Sequence, residues 1–253
     1  MIRVIMHGCN GRMGQTITGI LENDTEARIV AGVDMTDCRD NGYPVFTSLK
    51  DCQTEADVVI DFASAKAVDG LLDYCVERKL PVVLCTTGLS NEQLLHVEEA
   101  SKEIAVLRSG NMSLGINTIQ KLIAEAAKVL APAGFDVEIV EKHHNQKLDA
   151  PSGTAIMLAD SVNEALGKEY HYVYDRSQVR QVRDEKEIGI CAVRGGSIVG
   201  DHDVIFAGKD EVITISHRAY SRAIFGNGAV SAAKFLAGKK PGYYNMGHVI
   251  EER

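Results

Sequence analysis

The strongest constraint on the fold lies at the start of the chain. The apolar run Ile2-Arg-Val-Ile-Met6 passes through His7-Gly8-Cys-Asn-Gly11-Arg-Met-Gly14 into the helical pattern Gln15-Thr-Ile-Thr-Gly-Ile-Leu-Glu22. A second strand-like run, Ala27-Arg-Ile-Val-Ala-Gly-Val33, follows and ends at Asp34. In a strand–turn–helix unit of this kind the first glycine permits the tight turn, the second lets backbone approach a pyrophosphate, and the third allows close helix packing. The helix N-terminus then favours the phosphate charge. The spacing is GxxGxxG, and Asp34 lies 20 positions past Gly14, where it can accept from ribose hydroxyls. Together these features predict a dinucleotide site.

The alternation continues. Strand patterns at Ala56-Asp-Val-Val-Ile-Asp-Phe62, Leu80-Pro-Val-Val-Leu-Cys85 and Ile104-Ala-Val-Leu107 are separated by helical patterns over Val68–Val76 and Asn91–Lys102. That order predicts a doubly wound parallel sheet with helices on both faces. Ligands of such sheets bind beyond the carboxyl ends of the strands. The candidate lining is therefore Phe62-Ala63-Ser64, Thr86-Thr87-Gly88 and Ser109-Gly110-Asn111-Met112, with Asp61 capping a strand end nearby. Any one of these turns is also ordinary loop chemistry, which favours Gly, Ser and Asn for its own reasons.

From Ser113 the pattern changes to one long helix, Gly115 to Leu130, followed by a strand, Asp136-Val-Glu-Ile-Val-Glu-Lys142, and a helix over Ala155–Leu166. A polar segment, His171 to Lys186, precedes three strand-like runs: Glu187–Val193, Ser197–Phe206 and Glu211–Ser216. Their connections, Arg194-Gly195-Gly196 and Ala207-Gly208-Lys209-Asp210, read as hairpin turns, so a second, α+β domain with a mainly antiparallel sheet is expected. Two candidate helices leave part of that sheet uncovered, which suggests packing against another subunit. The last helix, about Ser221 to Ala237, and the tail Pro241–Ile250 have no sheet of their own and are expected to return to the first domain.

The richest chemistry is gathered in His143-His144-Asn145-Gln146-Lys147-Leu148-Asp149-Ala150-Pro151-Ser152-Gly153-Thr154-Ala155, on the strand-to-helix connection of that second domain. Free backbone N–H groups at the helix start can hold an anion. Lys147 can fix a carboxylate, Ser152 and Thr154 add donors, and Gly153 lets a carboxylate come close to the backbone. His143 or His144 can titrate near neutral pH and serve as general acid. The implied ligand is a small anion, plausibly a dicarboxylate. The bland alternative is a pair of satisfied strand-end histidines and a solvated lysine. His202, between Asp201 and Asp203, reads as structural or interfacial.

Composition excludes other classes. With 253 residues and a net charge of -8 the chain has no electrostatic footprint for nucleic acid or an anionic membrane surface. The N-terminus has neither a signal-peptide layout nor a transmembrane span, so a cytoplasmic protein is expected. The six cysteines are scattered without metal spacing, which argues against zinc and disulfides. Cys9, inside the glycine turn, is either an inert small hydrophobe or a reactive thiol. The latter would suit a nucleotide-binding redox sensor, with Cys38 as a second exposed thiol. No phosphate-binding GxxxxGK[ST] loop, GxSxG elbow or HExxH pair is present.

The run Glu141–Ala155 closely resembles the signature of the 4-hydroxy-tetrahydrodipicolinate reductase family, also called dihydrodipicolinate reductases, of lysine and diaminopimelate synthesis. The resemblance extends to Gly8–Gly14, Thr86–Gly88, Gly110–Ser113, Arg194–Gly200 and Phe225–Val230, and so spans nearly the whole chain. It implies an N-terminal Rossmann domain (1–112, completed by 226–253), a substrate and tetramerisation domain (113–225), and a homotetramer built through the central sheets. It also implies reduction of 4-hydroxy-tetrahydrodipicolinate by NADH or NADPH with loss of water. By motif position, His143 would be the acid/base residue and Lys147 the second catalytic residue. His144 would contact substrate, and Gly153 with Thr154 would hold a carboxylate. Gly8, Cys9, Asn10, Gly11, Arg12, Met13, Asp34, Phe62, Cys85, Thr86, Thr87, Gly88, Ser109, Gly110, Asn111 and Met112 would meet the cofactor. The chain departs from the family pattern at Phe62-Ala63-Ser64-Ala65, where Phe-Thr-x-Pro is common, and at Cys85, where Gly is common. Some members carry Arg after the ribose-binding acid; here Met35 follows Asp34, so NADH is expected to serve at least as well as NADPH. A reductase of another imine or carbonyl, such as an amino-acid dehydrogenase, would explain residues 1–111 but not the histidine–lysine run.

Overall fold

The computed structural model describes residues 1–177 and 180–252. In chain order the elements are β1 (Ile2–His7), α1 (Arg12–Leu21), β2 (Ala27–Val33), β3 (Val45–Phe46), β4 (Val58–Asp61), α2 (Val68–Glu77), β5 (Val82–Leu84), α3 (Asn91–Ser101) and β6 (Ala105–Leu107). Then come α4 (Leu114–Leu130), β7 (Asp136–His143), α5 (Gly153–Ala165), β8 (His171–Val173), β9 (Glu187–Arg194), β10 (Gly200–Ala207), β11 (Val212–Ala219), α6 (Ala223–Leu236), β12 (Gly242–Tyr244) and α7 (Met246–Glu251). They form two compact units, Met1–Leu114 with Ala223–Arg253, and Gly115–Arg222.

The first unit is a seven-stranded parallel sheet of order β12-β6-β5-β4-β1-β2-β3. Its strands are short and rich in Val and Ile, and β4, β5 and β6 are buried throughout, as strands covered on both faces must be. On one face Val4, Met6, Val58, Ile60 and Leu107 pack with Ile17 and Leu21 of α1 and with Ala229, Ala233 and Leu236 of α6. On the other, Ile5, Val59, Val82 and Val106 pack with Leu71 and Leu72 of α2 and Val97 of α3. The chain end does return here: α6 covers one face, and β12 pairs with β6 as the seventh strand. β3 and β12 carry no sequence signal because two or three residues are too few to display a period.

The second unit is a five-stranded sheet of order β11-β10-β7-β9-β8. One face is covered by α4 and α5, with Ile123, Ala127, Leu158 and Val162 against Val137, Ile139, Ile190, Val204 and Phe206. The sheet is mixed. β10 is antiparallel to both β11 and β7, whereas β7–β9 and β8–β9 are parallel. The hairpin over Ala207–Asp210 forms, with the Gly208 N–H donating to Glu211 O. The one expected over Arg194–Gly196 does not, because β7 lies between β9 and β10. That connection instead lies against the loop after β7: the Gly195 N–H donates to His143 O and the Asn145 N–H to Gly196 O. β8 emerges from the polar segment over 171–186; Gln178 and Val179 of that segment lie outside the described residues. No helix among the described residues is long and apolar enough to cross a membrane.

Candidate active site

In the first unit the glycine turn is built from backbone. Gly8 has φ +83°, and a Cβ there would stand 2.7 Å from Phe62 O; a Cβ at Gly14 would stand 2.3 Å from Gly8 O. Only glycine allows this close approach. α1 starts at N-cap Gly11 with no side-chain cap and no acidic residue in its first turn, so its leading N–H groups suit an anion. Asp34 closes the turn from β2, accepting from the Asn10 N–H at 2.8 Å and the Met35 N–H at 2.7 Å. Asn10 in turn donates to Thr36 O and accepts from Asn41 Nδ2. At the end of β5 the Oγ1 of Thr86 is buried with no partner among the described residues, a donor left for a ligand. A cradle that excludes Cβ atoms, a bare helix start and this orphan hydroxyl fit a dinucleotide.

Three side chains in the expected contact set face inward instead. Cys9 is fully buried, its Sγ filling the space that Gly32 leaves, and burial pushes its thiol up to about 11. A buried, protonated thiol is not a reactive one. Met112 packs in the core, where its carbonyl meets Gly228 of α6. Cys85 is likewise raised well above the ordinary thiol range by burial. Cys9 and Met112 are left with backbone to offer a cofactor, whereas Cys85 is half-buried. Asp61 is fully buried at the end of β4; one oxygen takes His7 Nδ1 at 2.7 Å and the Ala63 N–H, and the other has no partner among the described residues. It pins the ends of β1 and β4 from inside the sheet.

In the second unit, β7 alternates so that Val137, Ile139, Glu141 and His143 all face inward. The apolar row thus ends in a polar cap. Across the strands His202 is registered opposite Glu141, and Arg194 opposite His143. The Glu141 carboxylate is inaccessible to solvent and takes four donors: His143 Nδ1 at 2.6 Å, two Arg194 guanidinium nitrogens at 2.8 and 2.7 Å, and the Ser152 N–H at 2.9 Å. Burial pushes this carboxyl up, but Arg194, His143 and Ser152 together hold it below its ordinary value. With Nδ1 engaged, Nε2 is the His143 nitrogen left for a ligand. The His202 ring meets His143 edge-on at 5.2 Å, and burial lowers it to about 4, so it is neutral in the working range.

Ser152 is the N-cap of α5. Its Oγ accepts from the Ala155 N–H, and His202 Nε2 lies 3.2 Å away. With its own N–H given to Glu141 and its side chain buried, Ser152 builds the helix start and does not present its hydroxyl outward. Gly153 and Thr154 follow at the accessible end. Lys147 reaches Asp149 at 2.8 Å, and Asp149 is held below its ordinary value first by that lysine, with the Gly153 N–H adding to it. Arg194 also donates to Asp149 O at 2.6 Å. His143, Lys147, Ser152 and Gly153 are therefore assembled around one loop. Glu141 and Arg194 belong to the same cluster but were not singled out from the sequence. The available signal was a charged residue at an inward position of an alternating strand.

This constellation coincides with relatedness over the full chain. Residues 2–112 match the family model described as dihydrodipicolinate reductase, N-terminus, and residues 115–250 match dihydrodipicolinate reductase, C-terminus. The chain belongs to the dihydrodipicolinate reductase family. It is 56% identical over 252 residues to the 4-hydroxy-tetrahydrodipicolinate reductase of Caldanaerobacter subterraneus subsp. tengcongensis, covering 100% of this chain and 99% of that one. The enzyme of the same name from Clostridium tetani is 49% identical, covering 97% of this chain and 96% of its own. Among solved structures, a dipicolinate-bound dihydrodipicolinate reductase from Paenisporosarcina sp. TG-14 superposes with a TM-score of 0.80 at 26% identity, over 98% of this chain and 99% of that one. The glycine cradle that fits a dinucleotide lies in the first unit and the histidine–lysine cluster in the second.

Proposed function

We infer that this protein is a 4-hydroxy-tetrahydrodipicolinate reductase of lysine and diaminopimelate synthesis, using a reduced pyridine nucleotide. The observation that carries the reading is the cluster built by 141–155: an imidazole with one nitrogen fixed, an ammonium and a helix start on one short loop, in a chain related to named reductases along its full length. The reaction adds one hydride and one proton to the substrate and releases one water.

A bound reduced nicotinamide supplies the hydride. Backbone from Gly8 to Met13, Asp34, and the turns at Phe62, 85–88 and 109–112 are assigned to hold it. His143 delivers the proton from Nε2, the ring nitrogen not engaged by Glu141. Lys147 brings positive charge to a substrate carboxylate, and the N–H groups of Gly153 and Thr154 hold the same group at the start of α5. His144 is assigned as a further substrate contact. Loss of the hydroxyl as water puts a proton on its oxygen and takes one from the adjoining ring carbon, so the net count stays at one hydride and one proton; His143 and Lys147 are the two acids assigned to the site. Ser152 contributes by building the helix start.

NADH is assigned at least equal standing with NADPH, because a carboxylate at position 34 repels a 2′-phosphate and the following residue is the exposed Met35. Arg12 and Arg39 are the cations able to soften that preference. Assembly is assigned to a homotetramer through the face of the five-stranded sheet turned away from α4 and α5, where Val193 and Val212 are exposed. A cytoplasmic location follows from a biosynthetic role. The deciding experiment follows NADH absorbance on adding freshly made 4-hydroxy-tetrahydrodipicolinate. Oxidation that depends on this compound supports the assignment, and none with either nucleotide refutes it. Light scattering of the purified protein tests the tetramer.

A further inference from the structure

We propose that Glu141 is the positioning residue of the proton donor: its buried carboxylate fixes His143 with Nδ1–H inward and Nε2 outward, and ties that imidazole to the start of α5 through the Ser152 N–H. The inference rests on the assignment of His143 as proton donor and deepens it.

Two features set Glu141 apart from an ordinary internal ion pair. Arg194 alone could satisfy a buried carboxylate, since its fork matches both oxygens. Yet Oε2 is shared with His143 Nδ1 in the shortest of the four contacts, at 2.6 Å, and Oε1 is shared with Ser152. The carboxylate therefore joins three segments: the imidazole on β7, the guanidinium on β9 and the N-cap of α5. An ionised carboxylate can only accept, so an Nδ1 held 2.6 Å from Oε2 carries the hydrogen, and the tautomer with Nδ1–H is favoured. On the other side of the ring, a Cβ at Gly200 would stand 3.0 Å from Nε2, so the glycine keeps that nitrogen uncrowded.

The arrangement also bears on charge. The groups facing the imidazole are Glu141 on its own strand, Arg194 on β9, and His202 on β10 with His217 of β11 behind it. Lys147 and Asp149 lie on the loop. The imidazole thus faces a Glu141–Arg194 ion pair and not a lone carboxylate. When Nε2 gives its proton to the substrate the ring becomes neutral, Nδ1–H stays on the ionised Glu141, and solvent returns a proton to Nε2.

The test uses Glu141→Gln and Glu141→Asp in the full-length enzyme, with kcat/KM measured against pH, NADH affinity and thermal midpoint. Glutamine keeps the shape and an acceptor for Nδ1–H but removes the charge. The expected result is a loss of about 10- to 100-fold in kcat, the range for residues that orient a functional histidine. The alkaline limb of the profile should also move down by about one pH unit, with NADH affinity unchanged. Aspartate should restore the position of the limb. A Glu141→Gln enzyme that loses thermal stability and activity together while its pH limb stays in place would overturn the proposal. Should that variant fail to fold, nitrogen NMR of histidine-labelled wild-type enzyme decides: Nδ1 protonated with Nε2 titrating supports it, and the opposite tautomer refutes it. A wild-type enzyme inactive on the substrate would instead sink the assigned reaction, and the tautomer measurement would still judge Glu141.

Discussion

The ammonium of Lys147 stands 2.8 Å from Oδ1 of Asp149, so the cation assigned to the substrate carboxylate already holds a carboxylate of its own chain. Asp149 also draws on the Gly153 N–H, the second donor assigned to substrate. A ligand carboxylate arriving there must displace it. Asp149→Asn should therefore tighten a dicarboxylate probe, pyridine-2,6-dicarboxylate, by about two- to five-fold, the scale of one partly exposed ion pair. Calorimetric titration of both proteins checks this, and weaker binding in the variant would show that Asp149 helps to hold the ligand.

His143→Gln should lower kcat by about 10²- to 10⁴-fold, the usual loss for a general acid. NADH affinity should barely change, because the assigned cofactor contacts lie in the other unit. Stopped-flow turnover with a parallel fluorescence titration of NADH separates the two effects. Full activity in this variant would reduce His143 to a structural role.

Cofactor choice should follow Asp34. The wild-type ratio of kcat/KM for NADH to that for NADPH is expected to be one or more. Asp34→Ser should move that ratio toward NADPH by about ten-fold, equivalent to about 1.4 kcal/mol. Steady-state kinetics with both nucleotides decides, and a large NADPH advantage in the unmodified enzyme would contradict the reading.

On the face of the sheet away from the histidine cluster, Asp203 binds Lys142, Ser216 and Arg218 at 3.1, 2.6 and 2.7 Å. Burial pushes its carboxyl up, but these donors outweigh it and bring the value from 3.8 to about 2. A depressed folded-state value means that the stabilisation is present above about pH 4 and is lost as pH falls toward 2. The difference is worth about 2 kcal/mol. Asp203→Asn should unfold at lower urea than wild type near neutral pH, and the gap should close near pH 2. A gap independent of pH would show that this carboxylate carries no linked stability.

Gly228 lies inside α6, where helix propensity alone favours alanine by about 1 kcal/mol. The tertiary structure reverses the sign, because a Cβ there would fall 1.7 Å from the Met112 carbonyl oxygen, backbone that has little room to give. Gly228→Ala should cost about 3 kcal/mol, or roughly 6–12 °C in Tm. At Gly226 the nearest atom is the flexible end of Ile20, at 2.9 Å, so Gly226→Ala should be milder. Scanning calorimetry of both variants tests how α6 seats within the first unit.

Element type was largely legible where periodic runs were long. β2 was expected over Ala27–Val33 and has those limits, and α3 was expected within one residue of its end. The misreadings have identifiable causes. Gly195-Gly196 carries the same local signal as a hairpin but serves a crossing connection, and β3, β8 and β12 are too short to show alternation. At the site, the His143–Ala155 run was legible because its donors are close in sequence. Glu141 shares the period that places Val137 and Ile139 inward, but its partner Arg194 is 53 residues away, so the sequence carries no local sign of their pairing.

What the sequence determined by itself is local: a glycine turn between β1 and α1, an acid at the end of β2, and a cluster of donors on the connection from β7 to α5. Periods of 2 and 3.6 residues and the backbone freedom of glycine act between near neighbours, so they can be read without a fold. Tertiary structure alone decided that β7 lies between β9 and β10, that Arg194 reaches a carboxylate 53 residues away, and that β12 pairs with β6 as the seventh strand of the first sheet. Strand order and register are set by burial of whole faces against one another, a property of the assembled sheet that no single segment encodes.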